Sequence, residues 1–253
     1  MIKLVDIDKS FKNQKVLDKL NLEISSGEIT VIIGQSGGGK SVLLKHIIGL
    51  IRPDKGEVLI EGVDIASLND RKLNEIRKNF GMLFQGAALF DSMTVGENVA
   101  FPLNEHTRLT RSQIDEIVQQ KLLQVGLRDV AHKMPSELSG GMRKRVGLAR
   151  AIALNPKIIL FDEPTTGLDP ITADAIDRLI VDTQKHTGAT CVVISHDIES
   201  TFKIAHTVAM LYRGKIIEIG KPDTIKSSQN PALRQFIQGK AEGPIMDHYV
   251  LDM

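Results

Sequence analysis

Among 253 residues there is a single cysteine, Cys191. An internal disulfide is therefore excluded, and a reducing compartment suits the chain. Cys191 sits in the apolar run Cys191-Val192-Val193-Ile194, which reads as a buried strand rather than the setting of a reactive thiol. Long apolar runs are also missing, and none approaches the ~20 residues that a membrane span needs. Net charge is only +1, which excludes a global pull towards nucleic acid or anionic lipid. The opening residues Met1-Ile2-Lys3-Leu4-Val5-Asp6 do not form a signal peptide. Internal repeats, low-complexity segments and heptad runs are absent as well. The expectation is a soluble intracellular protein that reaches a membrane only through a partner. The length suffices for one large domain or two small ones around a sizeable core.

The stretch with the most chemistry is Gly34-Gln35-Ser36-Gly37-Gly38-Gly39-Lys40-Ser41. It fits the phosphate-loop pattern G-x-x-x-x-G-K-[ST] at every fixed position. Ile29-Thr30-Val31-Ile32-Ile33 before it reads as a strand, and Val42-Leu43-Leu44-Lys45-His46-Ile47-Ile48 after it reads as a helix. That context gathers backbone N–H groups around one anion at a helix N-terminus. The glycines let the backbone close on phosphate oxygens. The pattern assigns Lys40 to the β- and γ-phosphates and the Ser41 hydroxyl to Mg²⁺.

Three short runs, Lys3-Leu4-Val5-Asp6-Ile7, Leu20-Asn21-Leu22-Glu23-Ile24 and Glu57-Val58-Leu59-Ile60, alternate as a half-buried antiparallel sheet would. Phe11 is expected in the first loop between them. It is either a satellite core residue or a flat face that stacks on an adenine ring. Phe80-Gly81-Met82-Leu83-Phe84-Gln85 reads as a buried strand. Its terminal Gln85 is either solvated or reaches Mg²⁺ or the attacking water. From about Asp91 to Asn155 the pattern turns helical, with Ile114, Ile117, Val118, Leu122 and Val125 on one face and Gly126 as its stop.

Ser139 is a plausible N-cap for a helix through Arg143-Lys144-Arg145. Gly140 and Gly141 allow close approach there, and the helix dipole favours an anion. The basic triplet reads as a solvated face rather than a nucleic-acid contact. Ile158-Ile159-Leu160-Phe161 is fully apolar, and Asp162-Glu163 follow at once. Two carboxylates at the end of a buried strand are expensive unless they have a task. Asp162 suits Mg²⁺ held through water, and Glu163 suits a general base. Cys191-Val192-Val193-Ile194 ends in Ser195-His196-Asp197. Three strands thus end in Gly34, Asp162 and His196, and ligands of parallel α/β sheets gather at such ends. Val208-Ala209-Met210-Leu211-Tyr212 and Lys215-Ile216-Ile217-Glu218-Ile219 read as a hairpin about Arg213-Gly214.

Together these residues resemble the ATP-binding subunit of an ABC transporter, over roughly residues 1 to 240. Lys40 and Ser41 match Walker A, Asp162 matches Walker B and Glu163 the catalytic carboxylate. Gln85 matches the Q-loop, His196 the switch histidine and Phe11 the A-loop aromatic. Ser139-Gly140-Gly141 match the signature, and Gly167-Leu168-Asp169 the D-loop. The resemblance implies an α/β P-loop NTPase (RecA-like) parallel-sheet core, an N-terminal antiparallel β subdomain and a helical insertion at about 91–155. It implies ATP and Mg²⁺ held between two copies paired head to tail. Gly34, Gln35, Ser36, Gly37, Gly38, Gly39, Lys40, Ser41 and Val42 would face the phosphates, with Gln85, Ser139, Gly140, Gly141 and Asp169 completing the site. Ser41, Gln85 and Asp162 would serve the metal, while Glu163, His196 and Lys40 would serve hydrolysis. Two positions depart from the pattern. Met142 stands where glutamine is commoner, and Val42 stands where a hydroxyl residue is commoner.

Within the family, several stretches look like the ATPases of Mla/MCE-type phospholipid transporters. They include Gly86-Ala87-Ala88-Leu89-Phe90-Asp91, the Leu-Ser-Gly-Gly-Met signature and the ending Gly239-Lys240-Ala241-Glu242-Gly243-Pro244-Ile245. This implies a second copy, a permease dimer, an MCE-domain lipid-binding protein and a small STAS-domain subunit as partners, with no nucleic acid. It implies a place on the cytoplasmic face of the inner membrane, held there through the permease. The tail over 241–253 is expected to pack on the second copy. Rival readings are an ATPase for import of a polar solute such as an amino acid, and a soluble non-transport ABC ATPase.

Overall fold

Ile2 and Leu4 of β1 (Ile2–Phe11) turn inward in alternation, and an irregularity in the pairing between Leu4 and Ile7, where Asp6 takes φ 46°, brings Ile7 inward as well. β2 (Gln14–Ile24) does the same through Leu17, Leu20, Leu22 and Ile24, and pairs antiparallel with β1. Phe11, expected in a loop, is instead the last residue of β1, paired with Gln14. The connection is only Lys12-Asn13, and Lys12 takes the left-handed conformation (φ 52°) that such short hairpin turns need. All five residues of β3 (Ile29–Ile33) are buried. After α1 (Lys40–Ile47) the chain returns as β4 (Lys55–Ile60) and β5 (Val63–Asp64), giving an antiparallel sheet in the order β2-β1-β4-β5. The computed structural model describes residues 1–245. It divides into two units, the first made of Met1–Ser25, Ile29–Ala66 and the chain from Ile194 onward, the second of Ser26–Glu28 and Ser67–Val193.

The second unit opens with α2 (Asp70–Arg77), followed by β6 (Phe80–Leu83). Three helices follow: α3 (Val95–His106), α4 (Arg111–Gln124) and α5 (Gly140–Ala151). Thr94 and Thr110 each start their helix with a reciprocal capping box, with Glu97 and Gln113. Such caps contribute about 1 kcal/mol apiece. β7 (Ile158–Asp162) runs parallel to β6, with Leu83 opposite Phe161. α5 lies close on β6, since a Cβ on Gly81 would sit 2.3 Å from the Ala151 carbonyl oxygen. α6 (Pro170–Thr187) leads to β8 (Thr190–Ser195), which begins in this unit and ends in the first. Cys191 is buried there as expected, and burial pushes its thiol pKa up to about 12.

Back in the first unit come α7 (Ile198–Ile204), the hairpin of β9 (Thr207–Tyr212) and β10 (Lys215–Gly220), α8 (Pro222–Lys226) and α9 (Pro231–Gln238). β9 runs parallel to β3, with Ile33 opposite Met210. Gly239 ends α9 in the left-handed conformation. The Gln235 side chain then gathers the following segment. Its Nε2 donates to the carbonyls of Lys240 (3.1 Å) and Ala241 (3.3 Å), and its Oε1 accepts from the Ile245 amide (2.7 Å). Tyr212 adds a hydrogen bond to the Pro244 carbonyl at 2.9 Å. The tail's opening residues therefore pack on their own chain. Its later apolar residues Met246, Tyr249, Val250, Leu251 and Met253 lie outside the described residues. Among the described residues no helix is long and apolar enough to cross a membrane.

Candidate functional site

In the first unit the phosphate-loop pattern folds as a cradle between β3 and α1. Gly34 is irreplaceable there, because a Cβ would lie 2.3 Å from the Leu211 carbonyl oxygen. Lys40 is only 4% exposed, and its Nζ donates to the carbonyls of Gly34 and Gln35, each at 2.8 Å. The ammonium thus sits inside the turn that it closes. α1 starts at Gly39 with no side-chain cap and no acidic residue in its first turn. An anion placed there meets the positive end of the helix dipole and no competing carboxylate. Ser41 is exposed and Val42 half-buried on that first turn. Gly34, Gln35 and Ser36 line a cavity of about 500 Å³ with His196, which lies just past the end of β8. Phe236, Lys240 and Ile245 form its other side. Phe11 is 44% exposed, which rules out the core reading, and the Lys9 ammonium stands 5.6 Å from its ring centre.

In the second unit the structure brings Gln85 and Glu163 together. Gln85 Nε2 donates to Glu163 Oε2 at 3.1 Å, and Thr166 Oγ1 donates to the same oxygen at 3.1 Å. Asp162 ends β7 immediately before them. Glu163 itself adopts φ 49°, a left-handed conformation that costs a non-glycine residue about 1–2 kcal/mol. Ser139 caps α5 through a hydrogen bond from the Met142 amide, as its sequence position suggested. Gly141 faces Thr172 at the start of α6, where a Cβ would approach the Thr172 methyl to 2.5 Å. Asp169 caps α6, accepting from the amides of Ile171 and Thr172 and from the Thr172 hydroxyl. Those hydrogen bonds, the hydroxyl's first, hold its carboxyl below the usual range.

The basic triplet is a solvated face only in part: Arg143 is exposed, Arg145 half-buried and Lys144 buried. Arg143 caps the Leu138 carbonyl and Arg145 the Val125 carbonyl, at 2.7 and 3.1 Å. Lys144 is 5% exposed, and its Nζ donates to the Glu163 carbonyl at 3.2 Å. Charge-run reasoning fails at Lys144, because its carbonyl partner is one that only the fold supplies. Thr166 was also missed. Its position three residues after Glu163, in a turn, is the one sequence signal that pointed to it.

A nucleotide and Mg²⁺ fit these donors. The cradle offers a buried cation and an uncapped helix start to phosphates. Among the described residues no cluster of three or more His, Cys, Asp or Glu side chains forms a metal cage.

A strand, a glycine cradle and a helix carrying Lys40 and Ser41 define a P-loop NTPase. Comparison with known proteins narrows the class. The sequence pattern of the family described as "ABC transporter" matches residues 17–166. The intermembrane phospholipid transport system ATP-binding protein MlaF of Haemophilus influenzae is 46% identical over 234 residues, covering 92% of this chain and 89% of that protein. The probable ribonucleotide transport ATP-binding protein mkl of Mycobacterium leprae is 43% identical over 244 residues, covering 96% and 70%. A dimeric ATP-binding cassette in a post-hydrolysis state, bound to ADP and Pi, superposes with a TM-score of 0.81 at 34% identity, covering 88% of this chain and 99% of that one. This chain belongs to the ABC transporter family, as an ATP-binding subunit related to the Mla group. Its fold is the RecA-like P-loop NTPase fold with an N-terminal antiparallel β subdomain and helical insertions.

Proposed function

We propose that this chain hydrolyses Mg-ATP between two copies paired head to tail, and that the cycle drives a membrane permease in an Mla-type phospholipid system. The observation that carries the reading is the carboxylate of Glu163, held at the end of β7 by Gln85 and Thr166. Phosphoryl transfer through a loose transition state needs positioning and charge stabilisation more than covalent chemistry. Glu163 orients and deprotonates the attacking water. Lys40 and His196 stabilise charge on the transferred group, and Phe11 stacks on the base. Ser139, Gly140 and Gly141 face the nucleotide of the other copy, where the α5 N-terminus favours anionic oxygens. When bound, Mg²⁺ neutralises charge that builds on the phosphates.

The phospholipid reading is supported by the similarity to MlaF, which spans nearly the whole of both chains. It carries with it a permease dimer, an MCE-domain lipid-binding protein and a STAS-domain subunit as partners, on the cytoplasmic face of the inner membrane. Residues 1–240 then form the ATPase domain. An apolar groove of about 440 Å³, lined by Phe84, Phe90 and Phe101 beside Gln85, suits the permease. A second reading, transport of a polar solute, is favoured by the name of the mycobacterial relative. The experiment is to isolate the chain from membranes with its partners and assay the reconstituted complex. Co-isolated lipid-binding protein and ATP-dependent phospholipid movement support the first reading. ATP-dependent uptake of a nucleotide or amino acid with no lipid movement overturns it.

A further inference from the structure

The signature helix α5 reaches into the catalytic turn of its own unit. Lys144 lies five residues after the N-cap Ser139, about 7.5 Å along the axis at 1.5 Å per residue. Burying an ammonium is costly unless it is paired or hydrogen-bonded, and Lys144 is 5% exposed. Desolvation lowers its pKa, while the charges of Glu163 and Asp162 work the other way. Its Nζ meets the Glu163 carbonyl at 3.2 Å, beside the Thr166 amide, which donates to the same oxygen at 3.3 Å. The residue so held is the one in the left-handed conformation, φ 49°. Strained backbone of this kind persists only when the surroundings over-determine it.

We propose that Lys144 is a positioning residue: its ammonium fixes the left-handed turn at Glu163 and so aims the carboxylate. The inference rests on the reading of Glu163 as the group that orients the attacking water. It gives α5 two tasks. Its N-terminus faces the nucleotide of the other copy, and its second turn sets the catalytic carboxylate of its own copy. A shift of α5 when the two copies engage is then felt at Glu163 without passing through the nucleotide.

The test is steady-state ATP hydrolysis by the full chain. Lys144→Met keeps the apolar stem of the side chain and loses the ammonium donor. Misplacing a reacting group by about 1 Å costs on the order of a hundredfold, so kcat should fall by about tenfold to a hundredfold with KM for ATP and the melting temperature unchanged. Lys144→Arg, which keeps cation and donors, should recover most of kcat. Should the Met variant fold poorly, Lys144→Gln carries the same test, because its neutral amide removes the charge and ends one atom short of the ammonium. In a Glu163→Gln background, Lys144→Met should cause no further loss. Parental kcat in Lys144→Met overturns the proposal, as does a loss of kcat matched by a raised KM and a lowered melting temperature. A further loss in the Glu163→Gln background overturns it too. If Glu163→Gln alone turns over at the parental rate, it is the reading of Glu163 that fails.

Discussion

Gln85 donates to a Glu163 carboxylate oxygen at 3.1 Å across 78 positions of sequence. Strand register explains the meeting. β6 and β7 run parallel with Leu83 opposite Phe161, so each functional residue lies two positions beyond a matched pair. Apolar strands hold the register, and the polar groups emerge together at the carboxyl ends, where α/β sheets place their ligands.

Thr166 is expected to matter to the rate and not to affinity. Its hydroxyl and the Gln85 side-chain amide both donate to Glu163 Oε2, and Thr166→Val keeps its shape. One hydrogen bond contributes about 1 kcal/mol, which corresponds to roughly fivefold in rate. Turnover should fall by about that factor while ATP affinity, measured by calorimetry, stays the same. A loss of affinity with unchanged turnover would contradict the assignment.

Lys40 and Ser139 belong to opposite faces of the proposed composite site. Lys40→Ala should weaken ATP binding to the isolated monomer by about tenfold or more, as loss of a charge-assisted hydrogen bond implies. Ser139→Ala should leave monomer binding intact and reduce ATP-dependent pairing, read by size-exclusion chromatography. Equal loss of monomer affinity in both variants would rule out head-to-tail pairing.

His46 gives the fold an acid sensitivity. It is fully buried on α1, with Nδ1 donating to the Val42 carbonyl at 2.7 Å and no partner at Nε2. Burial lowers its pKa below the ordinary 6.5, with the charges of Lys9 and Asp54 nearby acting in opposite directions. A depressed pKa means that the unfolded chain binds the proton more tightly. The stability that neutral His46 contributes is therefore present above pH 6.5 and lost as pH falls through and below it. His46→Leu also removes a buried unpaired polar atom, which costs about 1–3 kcal/mol. Its melting temperature should exceed the parent's by a margin that widens from pH 7.5 to 5.5. A margin that does not change with pH would contradict this.

Much of the site was legible because its residues sit in local patterns. Gly34 to Ser41 specify a strand-turn-helix unaided, and Ser139 announces the start of α5. Glu163 is marked by the apolar run before it. What was not legible depends on contacts between distant segments. Lys144 reads as surface charge until the Glu163 carbonyl appears beside it, and Gln235 gives no hint of the loop that it gathers. α2 is illegible for another reason: of its eight residues only Leu73 is buried, so no apolar stripe marks it. Phe11 was placed in a loop because the two-residue hairpin turn carries no Asn-Gly or Asp-Gly signal.

The central claim is that Glu163 performs the step that separates ATP binding from ATP hydrolysis. Its most direct test is Glu163→Gln, with turnover, ATP affinity and the associated state in ATP measured on one preparation. General-base catalysis contributes about 10²- to 10⁴-fold. Turnover should therefore fall by that order, with affinity retained and two copies remaining paired in the presence of ATP. Hydrolysis at near the parental rate would contradict the account.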